Sequence, residues 1–209
     1  MARIEPFEKY TEKYEKWFDG NKYVYKSEVK AIKEILSDFK NGVEIGVGSG
    51  RFAKPLGIKY GIEPSNKMRN IAESRGIITF DGIAEGLPFK DSSYDMVLMV
   101  TTLCFLDNVD KAFKEVYRVL RKGCFFINGF VDSESKVGKI YKKYKNKNVF
   151  YRSATFFSVK ETLLHLKKAG FKNFIFVQTV FNTLDKIKKE EPVIKGYGKG
   201  SFVVIRAQK

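Results

Sequence analysis

Glu44, Gly46, Gly48 and Gly50 stand within eight residues of one another in "VEIGVGSGRF" (residues 43–52). An apolar strand-like run passes into a Gly-x-Gly-x-Gly turn, with one carboxylate inside the run. Glycines there let the backbone approach a ligand without Cβ clashes, as a nucleotide-type cofactor requires. A dinucleotide fold wants Gly-x-Gly-x-x-Gly, but the third position of that pattern is Arg51 and the last glycine is Gly50. The pyrophosphate fingerprint is therefore not met. Glu63 follows at the end of a second short apolar run, "IKYGIE" (58–63), where a carboxylate can accept both hydroxyls of a ribose. His165, the single histidine, sits in "LLHLKK", far along the chain from the turn, and no convincing general base accompanies the glycines. The catalytic residues stay unassigned.

The elements that must hold these residues follow from periodicity. Phe7, Tyr10, Tyr14, Trp17 and Phe18 recur at helical steps, and Val29, Ile32, Leu36 and Phe39 mark a second helix ended by Asn41-Gly42. Strands are expected at 43–47, 58–63, 77–80, 94–100 and 124–131. Helices fall between them: one opened by Ser65 with Met68, Ile71 and Ala72 inward, and one carrying Val109, Ala112, Phe113, Val116 and Leu120 up to Gly123. Pro55 leaves room for only a short helix after the glycine turn. Ser158 and Glu161 form a capping-box pattern for a further helix. No helical pattern separates 171–181 from 201–208, so these two runs are expected to pair antiparallel. Alternating strands and helices imply an α/β fold with a mostly parallel sheet covered on both faces. The least structured-looking stretch is 132–154.

Composition bounds the rest. The 209 residues suit one domain, and the 39 basic against 24 acidic residues give a formal charge of +15. That charge fits either a polyanionic partner or a lysine-rich surface. Cys104 and Cys124 make neither a disulfide framework nor a four-ligand metal site and read as small buried hydrophobes, so no metal is expected. The charged N-terminal segment is no signal peptide and no run is long enough to span a membrane, so a soluble cytoplasmic protein is expected. The segment "KVGKIYKKYKNKNVFYR" (136–152) interleaves seven basic residues with aromatics, which suits RNA or another anionic acceptor as well as a solvated helix.

Taken together, "VEIGVGSGRFAKPLG", "GIEPSNKM", "GIAEGLPFKDSSYDMVLMVTTLCFLDN" and "AFKEVYRVLRKGCFFI" resemble the successive motifs of class I S-adenosylmethionine-dependent methyltransferases. The subgroup most similar is the one that resembles ubiquinone and menaquinone biosynthesis enzymes. The resemblance implies a Rossmann-like three-layer α/β sandwich, with a seven-stranded, mostly parallel sheet and an antiparallel C-terminal strand. It implies one domain: an N-terminal helical lid (1–40), a cofactor-binding core (41–131), an acceptor-side cover (132–155) and a C-terminal helix with antiparallel strands (156–209). S-adenosylmethionine would be the cofactor and S-adenosylhomocysteine the product. Gly46, Gly48 and Gly50 would form the turn beside its methionine part, and Glu44 would reach its ammonium. Glu63, with Pro64 and Ser65 after it, would hold the ribose. Met68 would pack near the adenine, and Ala84 would offer its amide to that ring with Glu85 nearby. Val100 and Thr101 would lie under the sulfonium, and Tyr14 and Trp17 would close over the cofactor. The family often has an acid where this chain has Ile83. The acceptor implied is a small molecule. An RNA acceptor served by 136–152, and a cofactor-binding protein without turnover, are the alternatives.

Overall fold

The computed structural model describes residues 4–209; residues 1–3, the start of the charged N-terminal segment, lie outside the described residues. Five parallel strands form the larger part of the sheet: β1 (Gly42–Ile45), β2 (Tyr60–Ile62), β3 (Ile78–Phe80), β4 (Tyr94–Val100) and β5 (Leu120–Val131). Three more follow, β6 (Lys172–Thr179), β7 (Ile194–Lys195) and β8 (Phe202–Gln208), giving the order β3-β2-β1-β4-β5-β8-β6-β7. β8 inserts between β5 and β6 and runs antiparallel to both, as the two C-terminal runs predict. The two-residue β7 pairs with Val177 and Gln178 and adds an eighth strand to the expected seven.

The central strands are buried on both faces, which is why "YDMVLMV" reads as a continuous apolar run rather than an alternating one. Phe113, Val116, Phe126, Leu166 and Phe171 fill the core on one face, beneath α5 (Val109–Val119) and α7 (Val159–Lys168). Ile32, Phe52, Ala72, Leu98 and Phe202 fill the other, beneath α3 (Lys22–Ile35) and α4 (Asn66–Ser74). Ser158 and Glu161 form the full reciprocal capping box at the start of α7.

Several expected elements differ in detail. The N-terminal aromatic helix is two helices, α1 (Glu5–Lys9) and α2 (Thr11–Gly20), because Tyr10 leaves helical geometry at φ −120°, ψ 32°. α3 stops at Ile35, so Leu36 and Phe39 pack on the core from the extended chain beyond it. The chain after the glycine turn forms only a 3₁₀ turn, Lys54–Leu56, consistent with Pro55 at its centre. α5 ends at Val119 rather than at Gly123, which lies within β5 at φ 81°. The stretch 132–154 is more ordered than its sequence suggests: Ser135 caps α6 (Lys136–Tyr144) by accepting from the Gly138 amide. Lysines dominate the outer surface of α6, and this hides its helical pattern.

Candidate active site at the carboxyl ends of the central strands

The loops leaving β1, β2 and β4 converge where open α/β sheets bind ligands, beyond the carboxyl ends of strands on either side of the first one. A cavity of about 300 Å³ lies there. Nine of the expected site residues line it: Tyr14, Trp17, Gly46, Gly48, Glu63, Pro64, Ala84, Glu85 and Thr101. Glu44 lies on β1 just before the turn. Gly50, Ser65 and Met68 are outside the lining, and each has a structural task. Gly50, at φ 80°, lies against Ala72 and Ile77, where a Cβ would meet Ile77 at 3.2 Å. Ser65 caps α4, accepting from the Met68 amide at 3.3 Å, and the Met68 side chain is fully buried.

The glycine turn makes room for more than a bend. A Cβ on Gly46 would run into the Thr102 hydroxyl, which donates to the Gly46 carbonyl at 3.3 Å. Gly48, at φ 52°, faces the cavity, and a Cβ there would lie 3.3 Å from the Tyr14 hydroxyl. Bare backbone is thus what separates the strand end from the helix above it.

The carboxylates are arranged unequally. Glu63 accepts from the amides of Gly48 at 3.0 Å and Ser65 at 2.9 Å, which fixes its head at the cavity wall. Burial raises its carboxyl above the ordinary range, and those two amides partly oppose the rise. Glu44 is 1% exposed, and its Oε2 has no hydrogen-bond partner. Burial pushes its carboxyl well above the ordinary range; the Ala53 amide opposes this and Glu63 adds repulsion. A buried carboxylate oxygen left unpaired is costly, and a cation arriving beside it would relieve that cost. An ammonium beside Glu44 would meet that unpaired oxygen, and Glu63, whose two oxygens each take one amide, has acceptor capacity left for hydroxyls at the wall. The residues present fit S-adenosylmethionine.

Glu85 lines the cavity but is already engaged, since its Oε1 accepts from the amides of Asp107 at 2.8 Å and Asn108 at 3.1 Å. Ile83, where the family often has an acid, also faces the cavity and is 39% exposed. His165 is remote from the cavity lining: its Nδ1 lies 2.7 Å from Asp110, which Lys168 also contacts at 2.6 Å.

The N-terminal helices are clamped over the turn by pairs that sequence reading missed. Glu15 of α2 takes Arg51 at 2.7 Å and Arg75 at 2.5 Å, and Arg75 also donates to the Ser49 carbonyl. Burial alone would raise the Glu15 carboxyl; the hydrogen bonds from Arg75 and Arg51 outweigh it and hold the carboxyl below its ordinary range. Glu8 of α1 accepts from the Ser65 hydroxyl at 2.6 Å and the Lys67 amide at 3.2 Å. Arg51, the residue that breaks the dinucleotide pattern, is thus an anchor for the helix above the site. Phe7, Phe105 and Phe150 complete an aromatic wall with Tyr14.

The far end of the cavity was not legible as a site. Glu28, Val137, Tyr141, Tyr151, Val180 and Phe202 line it, brought from α3, α6, the loop after α6 and the strand ends of the antiparallel unit. Two β-branched residues there hold left-handed backbone, Thr101 at φ 51° and Val180 at φ 61°. Such residues avoid that region, so backbone strain is stored in the cavity wall at Thr101 and Val180. Glu28 carried one signal in the sequence: it is the acid among Val24, Ile32 and Ile35 on the inward stripe of α3.

The sheet order, with the glycine turn at the carboxyl end of β1, defines a Rossmann-like α/β fold. The model of the methyltransferase domain family matches residues 43–128. A SAM-dependent methyltransferase of Thermotoga maritima, described as a possible histamine N-methyltransferase, is 50% identical, covers 99% of either chain and superposes with a TM-score of 0.97. The uncharacterized protein MJ1123 of Methanocaldococcus jannaschii is 47% identical over 97% of this chain and 98% of its own. An uncharacterized methyltransferase of Bacillus cytotoxicus is 32% identical over 62% of this chain and 68% of its own. The chain belongs to the S-adenosylmethionine-dependent methyltransferases. No helix among the described residues is long and apolar enough to cross a membrane.

Proposed function

We propose that this methyltransferase acts on a small molecule held in the far end of the cavity. One observation carries the reading: the segment 136–152 divides its residues by side. Val137, Tyr141, Asn148, Phe150 and Tyr151 line the cavity, whereas Lys136, Lys139, Lys142, Lys143 and Lys147 are exposed. The aromatic residues whose interleaving with lysine suited RNA stacking are mostly committed to a cavity wall. The lysines that remain form a solvated surface.

S-adenosylmethionine, when bound, supplies an electrophilic methyl group on a positive sulfonium. In this reading Glu44 pairs with the ammonium and Glu63 takes the ribose diol, while Gly46 and Gly48 let both approach. Ala84 offers its backbone to the adenine, beside Pro64 and Ile83. Val100 and Thr101 form the floor at the point of transfer. Tyr14, Trp17, Phe7 and Phe150 line the cavity with ring carbon, would exclude water, and would offer an aromatic environment to a sulfonium. In-line transfer needs alignment and dryness above all, and the two N-terminal helices and the 132–155 cover supply both. A small nitrogenous acceptor, such as the histamine in the description of the Thermotoga protein, suits a chamber of this kind.

The test is a transfer screen with methyl-labelled S-adenosylmethionine against a cell extract split into small-molecule, RNA and protein fractions. Label in the small-molecule fraction is expected. Label confined to RNA would move the acceptor site to the lysine surface, and no label in any fraction of an active extract would favour cofactor binding without turnover.

A further inference from the structure

Among the described residues, Glu28 is the one acidic side chain at the far end of the cavity, and the cofactor wall does not use it. It is 5% exposed and lines the same cavity as Val24, Val137, Val180 and Phe202, with Tyr141 and Tyr151 close enough to feel its charge. The Tyr141 and Tyr151 ring centroids are 4.7 Å apart. Among the described residues, no hydrogen bond or ion pair reaches its carboxylate, and burial is what acts on it. The titratable groups that face it are Tyr25 on its own helix, Tyr141 on α6 and Tyr151 beyond, none of them cationic. Lys13 also lines the cavity, from the exposed side of α2, and makes no pair with Glu28.

A lone carboxyl in an apolar, ring-lined chamber is unfavourable unless it stays protonated or a cation reaches it. An anionic acceptor would be repelled there. A neutral one would leave the carboxyl unpaired. A protonated amine with an apolar or aromatic body satisfies the carboxylate and places its cation against tyrosine faces.

We propose that Glu28 is the acceptor-binding carboxylate and that the acceptor is a small primary or secondary amine, whose N–H proton Glu28 takes before methylation. This rests on the small-molecule reading above. The proton passes from the ammonium to the carboxylate and frees the nitrogen lone pair. That pair forms the new N–CH₃ bond while the C–S bonding pair stays on sulfur. The methylated amine departs as an ammonium and Glu28 keeps the proton, which returns it to its resting state; the one proton lost to solvent per turnover is the one displaced when the ammonium binds. Burial pushes the Glu28 carboxyl up to about 8. The free protein at pH 7 therefore holds a proton that an incoming ammonium must displace.

The experiment is calorimetry at pH 7 with saturating S-adenosylhomocysteine, in two buffers of different ionisation enthalpy. The probes are a panel of phenethylamine, tyramine, histamine and 1,4-diaminobutane, with 2-phenylethanol as the uncharged counterpart. At least one amine is expected to bind with release of close to one proton, and the alcohol to bind about tenfold more weakly or not at all. In Glu28→Gln, amine affinity should fall by about tenfold or more and proton release should vanish, with S-adenosylhomocysteine affinity unchanged. Tyr141→Phe, which leaves the carboxyl in place, should keep the proton release. Equal binding of amine and alcohol, undiminished amine binding by Glu28→Gln, or no amine binding across the panel would overturn the proposal while leaving the cofactor site standing. Loss of S-adenosylhomocysteine binding in Glu28→Gln would place Glu28 with the cofactor and overturn it too. Failure of the wild-type protein to bind S-adenosylhomocysteine would strike the underlying reading instead.

Discussion

Replacing Glu28 with glutamine should stabilise the protein at alkaline pH. Burial moves the Glu28 carboxyl from its ordinary 4.5 up to about 8. A raised folded-state value means the folded protein holds the proton that the unfolded chain gives up. Stability from this group is therefore complete below about pH 4.5 and is lost as pH rises through about 8, above which no further change follows. The full shift corresponds to about 5 kcal/mol. Glutamine matches the neutral acid in shape and carries no charge to desolvate. Urea unfolding of both proteins from pH 4 to 9 isolates the effect, since Glu44, Glu63 and Asp132, which burial also raises, are common to both. The stability difference should be near zero at pH 4 and grow to a value on the order of 5 kcal/mol in favour of glutamine by pH 9. A difference that stays flat across this range, or glutamine being less stable at pH 9, would refute the account of a lone buried carboxyl.

Other substitutions test other parts of the site. Glu44→Gln removes the charge behind the glycine turn and should weaken S-adenosylhomocysteine by about 10- to 100-fold in calorimetry, with little loss of stability, because the buried oxygen is unpaired without ligand. Glu15→Ala breaks both arginine pairs that pin α2; hydrogen exchange over residues 11–20 should rise, and product dissociation measured by stopped flow should quicken about tenfold. Neutralising Lys139, Lys142 and Lys143 together should leave small-molecule methylation within about twofold of wild type, since all three are exposed. Lys145 is left out of that set because its ammonium donates to the Ala154 carbonyl at 2.9 Å and ties the loop down. Gly48→Ala adds a Cβ toward the Tyr14 hydroxyl at a left-handed position; cofactor-product affinity should drop by about tenfold while the thermal midpoint falls by only a few degrees.

What the sequence made legible was what is local. The turn, Glu63 at its strand end, the Ser65 cap and the Ser158 capping box are each written within a few residues, and the five parallel strands are written in short apolar runs. The far end of the cavity depends on chain that returns from a distance. Phe150 reaches Phe7, Tyr141 meets Tyr151, and Val180 arrives from the antiparallel unit, so no window of sequence contains the chamber. Glu28 was hidden for another reason. A single acid on an apolar helix stripe looks like an irregularity until that side of the helix is seen to line a cavity. Tyr10, where one expected helix becomes two, carries no breaker of its own; α1 is held to the start of α4 through Glu8, a contact no local pattern announces.

The central claim is that the glycine turn and its two carboxylates form an S-adenosylmethionine site. Calorimetric titration of the folded wild-type protein with S-adenosylhomocysteine tests it most directly. The account predicts saturable binding at one site per chain, weakened in Glu44→Gln and in Glu63→Gln. No heat of binding from protein whose cooperative unfolding shows it to be intact, or binding indifferent to both substitutions, would contradict it.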